Sequence, residues 1–155
     1  MSNEYKCPIN QYGVRYFNPA GPQTEIAEQL HLSNAAVLPA HGQVVHIVGQ
    51  LGRENDGSYP DDAAQQLRLA FVNTEKALHA AGVTAGWRAV FSATLYISGD
   101  AADNQSQAEA YVKCMDDFCG TNRPLVTAVV VKQLLVPGAL VEMSSQAILG
   151  NATML

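Results

Sequence analysis

Basic residues are scarce in this sequence. Lysine and arginine number 9 against 14 aspartates and glutamates, and no Lys/Arg cluster interrupts the 155 residues. The footprint of a nucleic-acid binder is therefore missing. A formal net charge of -5 reads as ordinary solubility. Cysteine is also sparse. Cys7, Cys114 and Cys119 make an odd count, with neither zinc-ligand nor CxxC spacing. Reduced, packing cysteines are expected, and with them a cytoplasmic location. No run approaches the ~20 apolar residues of a membrane span, and "MSNEYKCPIN" lacks the apolar core of a secretory signal. The histidines, at 31, 41, 46 and 79, form no HxxxH or HExxH grouping, so no metal site is expected. GxGxxG, the P-loop and the nucleophile elbow are absent, as are repeats.

What remains is a globular composition, 48% hydrophobic and 15% charged, at a length that suits one domain. Residues 1–30 are rich in Pro, Gly, Asn and Gln and read as an irregular arm, with a helical turn at "TEIAEQL". Residues 31–150 form the domain and 151–155 a tail.

Within the domain, "GQVVHIVGQLG" (42–52) reads as a strand bounded by glycines. Asp61 or Asp62 can cap a helix running to about Ala81, with an apolar stripe of Leu67, Ala70, Phe71, Ala77, Leu78 and Ala81. Gly82 stops it. "AVFSATLYI" (89–97) alternates as a strand, "SGDAADN" (98–104) is a loop, and a second helix covers about 105–118. Strands at 126–131 and 139–148 flank a "VPG" turn. Trp87 is placed at a strand start, as a packing residue. This order gives an α+β layer, one sheet with two helices on one face. No third helix is left for the other face, so association of copies is the economical way to cover it.

These pieces resemble the Rid family, also called YjgF and, in older naming, endoribonuclease L-PSP. The resemblance runs from about Gln43 to Ile148. It rests on "VGQLG", "QQLRLAFVNTEKALHAAGV", "VFSATLYI", the Tyr111 helix and "RPLVTAVVVKQLLVPGALVEMSSQA". It implies a chorismate-mutase-like fold with a mostly antiparallel sheet. It further implies a homotrimer with a central barrel, and ligand clefts between subunits. In such clefts, 2-imino or 2-aminoacrylate-type intermediates are hydrolysed without metal or cofactor. An arginine holds the substrate carboxylate, and a glutamate and backbone groups position water.

The family signature sets Val126 on that arginine and Thr127 on its Ser/Thr. Three more polar positions of the family fall on Leu32, Val48 and Ala108. Valine cannot supply the planar fork that pairs with a carboxylate. Four polar-to-apolar changes therefore point to a drier cleft and a larger, more apolar ligand than an imino acid; a cleft simply packed shut is the alternative. Glu142 remains, on the family's glutamate, as candidate general acid/base, with a structural carboxylate as the plain alternative. Gly49 offers close backbone approach, and Gln50 falls on a loop-supporting position. Arg123 is a candidate replacement for the missing guanidinium, although a solvated loop arginine is the simpler reading. His46 shares strand parity with Val48. Two functions stay open. One is a Rid-like enzyme acting on an enamine, imine or conjugated small molecule. The other is a non-catalytic trimer that binds an apolar metabolite or a partner protein. Neither involves nucleic acid or a membrane.

Overall fold

In the computed structural model, which describes residues 3–101 and 104–150, a four-stranded sheet carries two helices on one face. The strands are β4 (Gln43–Leu51), β5 (Val90–Ser98), β6 (Leu125–Val131) and β7 (Val141–Leu149), in the order β4-β7-β5-β6. β7 pairs antiparallel with both β4 and β5. β6 runs parallel to β5, which requires a crossover, supplied by α3 (Asn104–Cys114). The α+β expectation holds, and the sheet is mostly antiparallel.

Alternation sets the faces of β5 and β7. Phe91, Ala93, Leu95 and Ile97 are buried towards the helices, with Val141, Met143, Ser145 and Ala147. Ser92, Thr94 and Tyr96 face the other way, beside Glu142, Ser144 and Gln146. The middle of the open face is thus largely polar. The expectation of an apolar face to be covered holds only for flanking residues such as Val44, Val48 and Val129, which are exposed.

α2 (Ala63–Ala80) begins at Asp62, whose carboxylate accepts from the Ala64 N–H at 2.9 Å. It packs on β4 and β7 through Leu67, Ala70, Phe71 and Leu78, while Ala81 lies exposed beyond its end. Each large side chain buried this way contributes roughly 1.5–3 kcal/mol. Gly82, at φ +86°, turns the chain out of the helix. α3 continues into a π-helical turn, Met115–Cys119, which ends at Gly120. Trp87 lies in a 3-10 turn, Gly86–Ala89, just ahead of β5. Its ring stacks on Phe71 at 4.4 Å and its N–H donates to the Phe71 carbonyl.

The N-terminal segment departs most from expectation. It holds β1 (Asn3–Tyr5), β2 (Arg15–Asn18) and α1 (Pro22–Gln29), and β3 (Ala35–Val37) completes a small antiparallel sheet. Ile9, Val14 and Tyr16 are fully buried in the common core. The prolines and glycines are real punctuation, but the pieces between them are strands packed on the domain. The expected tail at 151–155 and part of the 98–104 loop lie outside the described residues.

Candidate functional site

Residues distant in sequence meet at the β6 edge. The parallel register sets Val126 beside Ala93, Ala128 beside Leu95 and Val130 beside Ile97, so all three valine/alanine side chains face the helices. Leu32 arrives from the other end of the chain. Its N–H donates to the Ala27 carbonyl at the end of α1, and the next N–H, of Ser33, donates to the Pro124 carbonyl at 3.2 Å. From α3, Gln107, Ala108 and Tyr111 close the space. The result is a cavity of about 350 Å³ that contains Leu32, Ala108 and Val126 together.

Its lining is aliphatic apart from Gln107 and Tyr111, which stand one helical turn apart on one side of α3. Gln107 is 6% exposed and Tyr111 8%. Neither the Gln107 Oε1 nor the Tyr111 hydroxyl has a hydrogen-bond partner among the described residues. Burial raises the Tyr111 phenol above its ordinary value of 10.0, so it remains a protonated donor. Sequence reasoning passed over Gln107, although its four-residue spacing to Tyr111, next to Ala108, marks the same face.

Glu142 sits elsewhere. It lies on the open face of the sheet, paired across strands with Leu51 and Tyr96. A second hollow, of about 330 Å³, gathers Glu142 with Gly49, Tyr96, Ser144 and the 133–135 loop. A β-bulge shapes it. Ile47 stands opposite Ser145 and Gln50 opposite Met143, so β4 carries one extra residue around Val48 and Gly49. A Cβ at Gly49 would run into the Glu142 carboxylate, so glycine is what allows the acid to lie over this backbone. Val48 is 78% exposed in the bulge.

The expected convergence on one cleft therefore does not occur within one chain. Leu32, Ala108 and Val126 lie on the helix side, whereas Val48, Gly49, Thr127 and Glu142 lie on the open side. The cause is strand parity: β6 and β7 each show alternate residues to opposite faces. Thr127, expected with its neighbour Val126, is exposed beside Thr94. Gln50 turns back and donates to the Val48 carbonyl at 3.2 Å. Arg123 turns to its own loop in this chain. Its Nη1 donates to the Gly120 and Asn122 carbonyls at 2.6 and 3.2 Å. His46 is exposed and lines a small polar hollow with Ser92, Thr94 and Gln146. Among the described residues, no group of three or more His, Cys, Asp or Glu could hold a metal ion, and no helix is long and apolar enough to cross a membrane.

The rigid frame behind this edge is Asn122, which is fully buried. Its amide donates to the Trp87 and Val90 carbonyls at 2.9 and 2.7 Å, and its Oδ1 accepts from the Tyr16 hydroxyl at 3.3 Å. That knot ties the N-terminal segment, β5 and the entry to β6.

Comparison with known proteins agrees with this architecture. The family model described as endoribonuclease L-PSP matches residues 23–149. The RutC family protein YjgH of Escherichia coli K12 is 41% identical over 66 residues; the match spans 43% of this chain and about half, 47%, of that relative. Among solved structures, YyfB of the Rid family from Yersinia pestis superposes with a TM-score of 0.75 at 21% identity, over 88% of this chain and 98% of that one. Escherichia coli TdcF, solved with bound serine, gives 0.61 at 20% identity over 79% and 95%. Rv2704 of Mycobacterium tuberculosis gives 0.55 at 25% identity over 85% and 98%. A family model covering most of the chain, on a shared fold, decides the matter: the chain belongs to the endoribonuclease L-PSP family, the Rid/YjgF proteins.

Proposed function

We propose that the protein is a Rid-like small-molecule enzyme, a deaminase or hydrolase acting on an enamine, imine or conjugated metabolite in clefts completed between the copies of a homotrimer. One observation carries the reading: the cation-free cavity at Val126 and the acid Glu142 lie on opposite faces of one sheet. A cleft that uses both needs the edge of one copy set against the open face of the next. Aliphatic side chains exposed around these surfaces support such contact, with Leu135 at 97% and Val129 and Val130 beside it on β6 and the following loop. In that cleft Glu142 takes a proton from the water that adds to the C=N carbon. It passes that proton to the nitrogen to give a carbinolamine, then moves the hydroxyl proton to the nitrogen as the C–N bond breaks, leaving a carbonyl compound and ammonia or an amine. No cofactor is required by this scheme.

Small 2-imino acids are expected to be poor substrates. A charge-assisted contact is worth roughly 1.5–3 kcal/mol, or about ten- to a hundredfold in affinity, and Val126 offers none. The test compares 2-iminopropionate, generated by an amino-acid oxidase, with a neutral imine such as the Schiff base of benzaldehyde and propylamine. The protein should accelerate the second and scarcely the first. Glu142→Gln should then slow turnover by about a hundredfold or more. Strong acceleration of 2-iminopropionate would refute the role given to Val126, and a monomer in sedimentation would refute the shared cleft. The aliphatic lining of the Val126 cavity also favours a second reading, a non-catalytic trimer that binds an apolar metabolite or a partner protein. Ligand binding with no turnover of any imine would select it.

A further inference from the structure

The Glu142 hollow carries a charge that nothing in it balances. Among the described residues Glu142 forms no ion pair. No lysine, arginine or histidine lines the hollow of about 330 Å³ in which it lies. Tyr96 lines the same hollow and stands directly opposite Glu142 across β5 and β7. Side chains on such a rung have Cβ atoms about 4.5–5.5 Å apart, which sets an aromatic ring beside the acid. Both residues are half-buried, so the hollow reaches them without their being sealed in the core. Val131, Leu134 and Leu135 supply much of the remaining wall. Such a wall discriminates by charge. A cation is attracted by the carboxylate, more strongly at a partly desolvated surface than in water, and gains again over the face of an aromatic ring. An anion meets a like charge with no counter-ion lining the space. A neutral group is left with hydrogen bonds alone. The formal net charge of -5 acts in the same sense.

We infer that the Glu142 hollow binds a planar organic cation, and that the substrate taken there is the protonated imine of an apolar amine, its N–H directed at Glu142 and its charge beside the Tyr96 ring. An imine without a carboxylate becomes such a cation when its nitrogen is protonated. The substrate assignment rests on the reading above, which makes this hollow the acid side of the cleft; cation binding itself needs no turnover.

Three probes of one planar shape test it. At neutral pH benzamidine is a cation, benzamide is neutral and benzoate is an anion. Titration calorimetry on the intact protein should rank them in that order, with benzamidinium about tenfold or more tighter than benzamide, and the gap should narrow as salt is added. Glu142→Gln should weaken benzamidinium by about tenfold and leave benzamide nearly unchanged, whereas Glu142→Asp, which keeps the charge, should retain the preference for the cation. Tyr96→Leu should weaken benzamidinium by about threefold. Circular dichroism checks that each variant is folded. Benzamidinium should also inhibit imine turnover competitively. Benzamide or benzoate binding as tightly as benzamidinium would overturn the cation site, as would failure of all three to bind at millimolar concentration. So would benzamidinium affinity that is indifferent to Glu142→Gln or to Tyr96→Leu. Binding without competition would overturn the substrate assignment. If no imine is turned over while benzamidinium binds as stated, the catalytic proposal falls and the cation site stands. If imine turnover depends on Glu142 but benzamidinium has no advantage, the cation site alone falls.

Discussion

Replacing Asn122 with alanine should loosen the entry to β6 more than any surface change near it. Asn122 is fully buried and donates two hydrogen bonds, to the carbonyls of Trp87 and Val90. Neither carbonyl would be orphaned. The Val90 N–H also reaches the Trp87 oxygen, and the Tyr16 hydroxyl reaches the Val90 oxygen at 3.3 Å. The loss is therefore two ordinary bonds at about 1 kcal/mol each, plus the acceptor that Tyr16 shares. We expect a destabilisation of about 2–3 kcal/mol, or about 4–12 °C in melting temperature for a chain of this length. Tyr16→Phe, which removes a single hydroxyl, should cost about 1 kcal/mol. The two effects should fall short of additive, because the groups share partners. Urea denaturation followed by fluorescence of Trp87, the only tryptophan, reads the change next to the lesion. Limited proteolysis should show earlier cleavage of the N-terminal segment in Asn122→Ala. A cost below about 0.5 kcal/mol, within the range of a surface change, would refute the claim that Asn122 ties the N-terminal segment to the β6 edge.

Gly49→Ala sets a methyl where the Glu142 carboxylate lies; the acid must move, so imine turnover should fall about tenfold or more, with a stability loss of about 1–3 kcal/mol in urea. Gly52→Ala is worse, since its Cβ would meet the backbone of Gln66, which cannot swing away; we expect about 3 kcal/mol or more and poor soluble expression. The exposed Arg68–Asp117 pair at 2.6 Å should matter little: Asp117→Asn should cost under about 1 kcal/mol, in urea titrations with and without added salt. Burial pushes the Cys114 thiol from 9.0 up to about 11. Because the folded state holds this proton more tightly, its contribution is complete below pH 9 and is lost as pH rises from there to about 11. Urea midpoints measured across that interval should decline, less steeply in Cys114→Ala.

Much of the fold was legible in the chain. The Asp62 cap, the Leu67–Leu78 stripe and the Gly82 stop are local signals, and α2 follows them to within two residues. The alternation of "VFSATLYI" assigned β5 its faces correctly, because period two survives whatever packs above it. The N-terminal strands were hidden by their brevity. Val14, Tyr16 and Asn18 do alternate with Arg15 and Phe17, but a four-residue run between glycine and proline signals is weak evidence until something packs on it.

The site was legible only in part. Residue types at Leu32, Ala108 and Val126 already spoke for an uncharged surface, and these three residues line a common cavity that carries no Lys, Arg or His. Their separation from Glu142 could not be read, because it depends on the register of β6 against β5 and of β7 against β4, with a one-residue bulge between. Gln107 lacked any motif to mark it; only burial without a partner makes it conspicuous. What the chain decided alone was composition and period: which of the longer segments become helix or strand, and that position 126 itself carries no cation. Tertiary structure decided which of those segments share a face, since pairing register is a property of two strands together and cannot be written in either one.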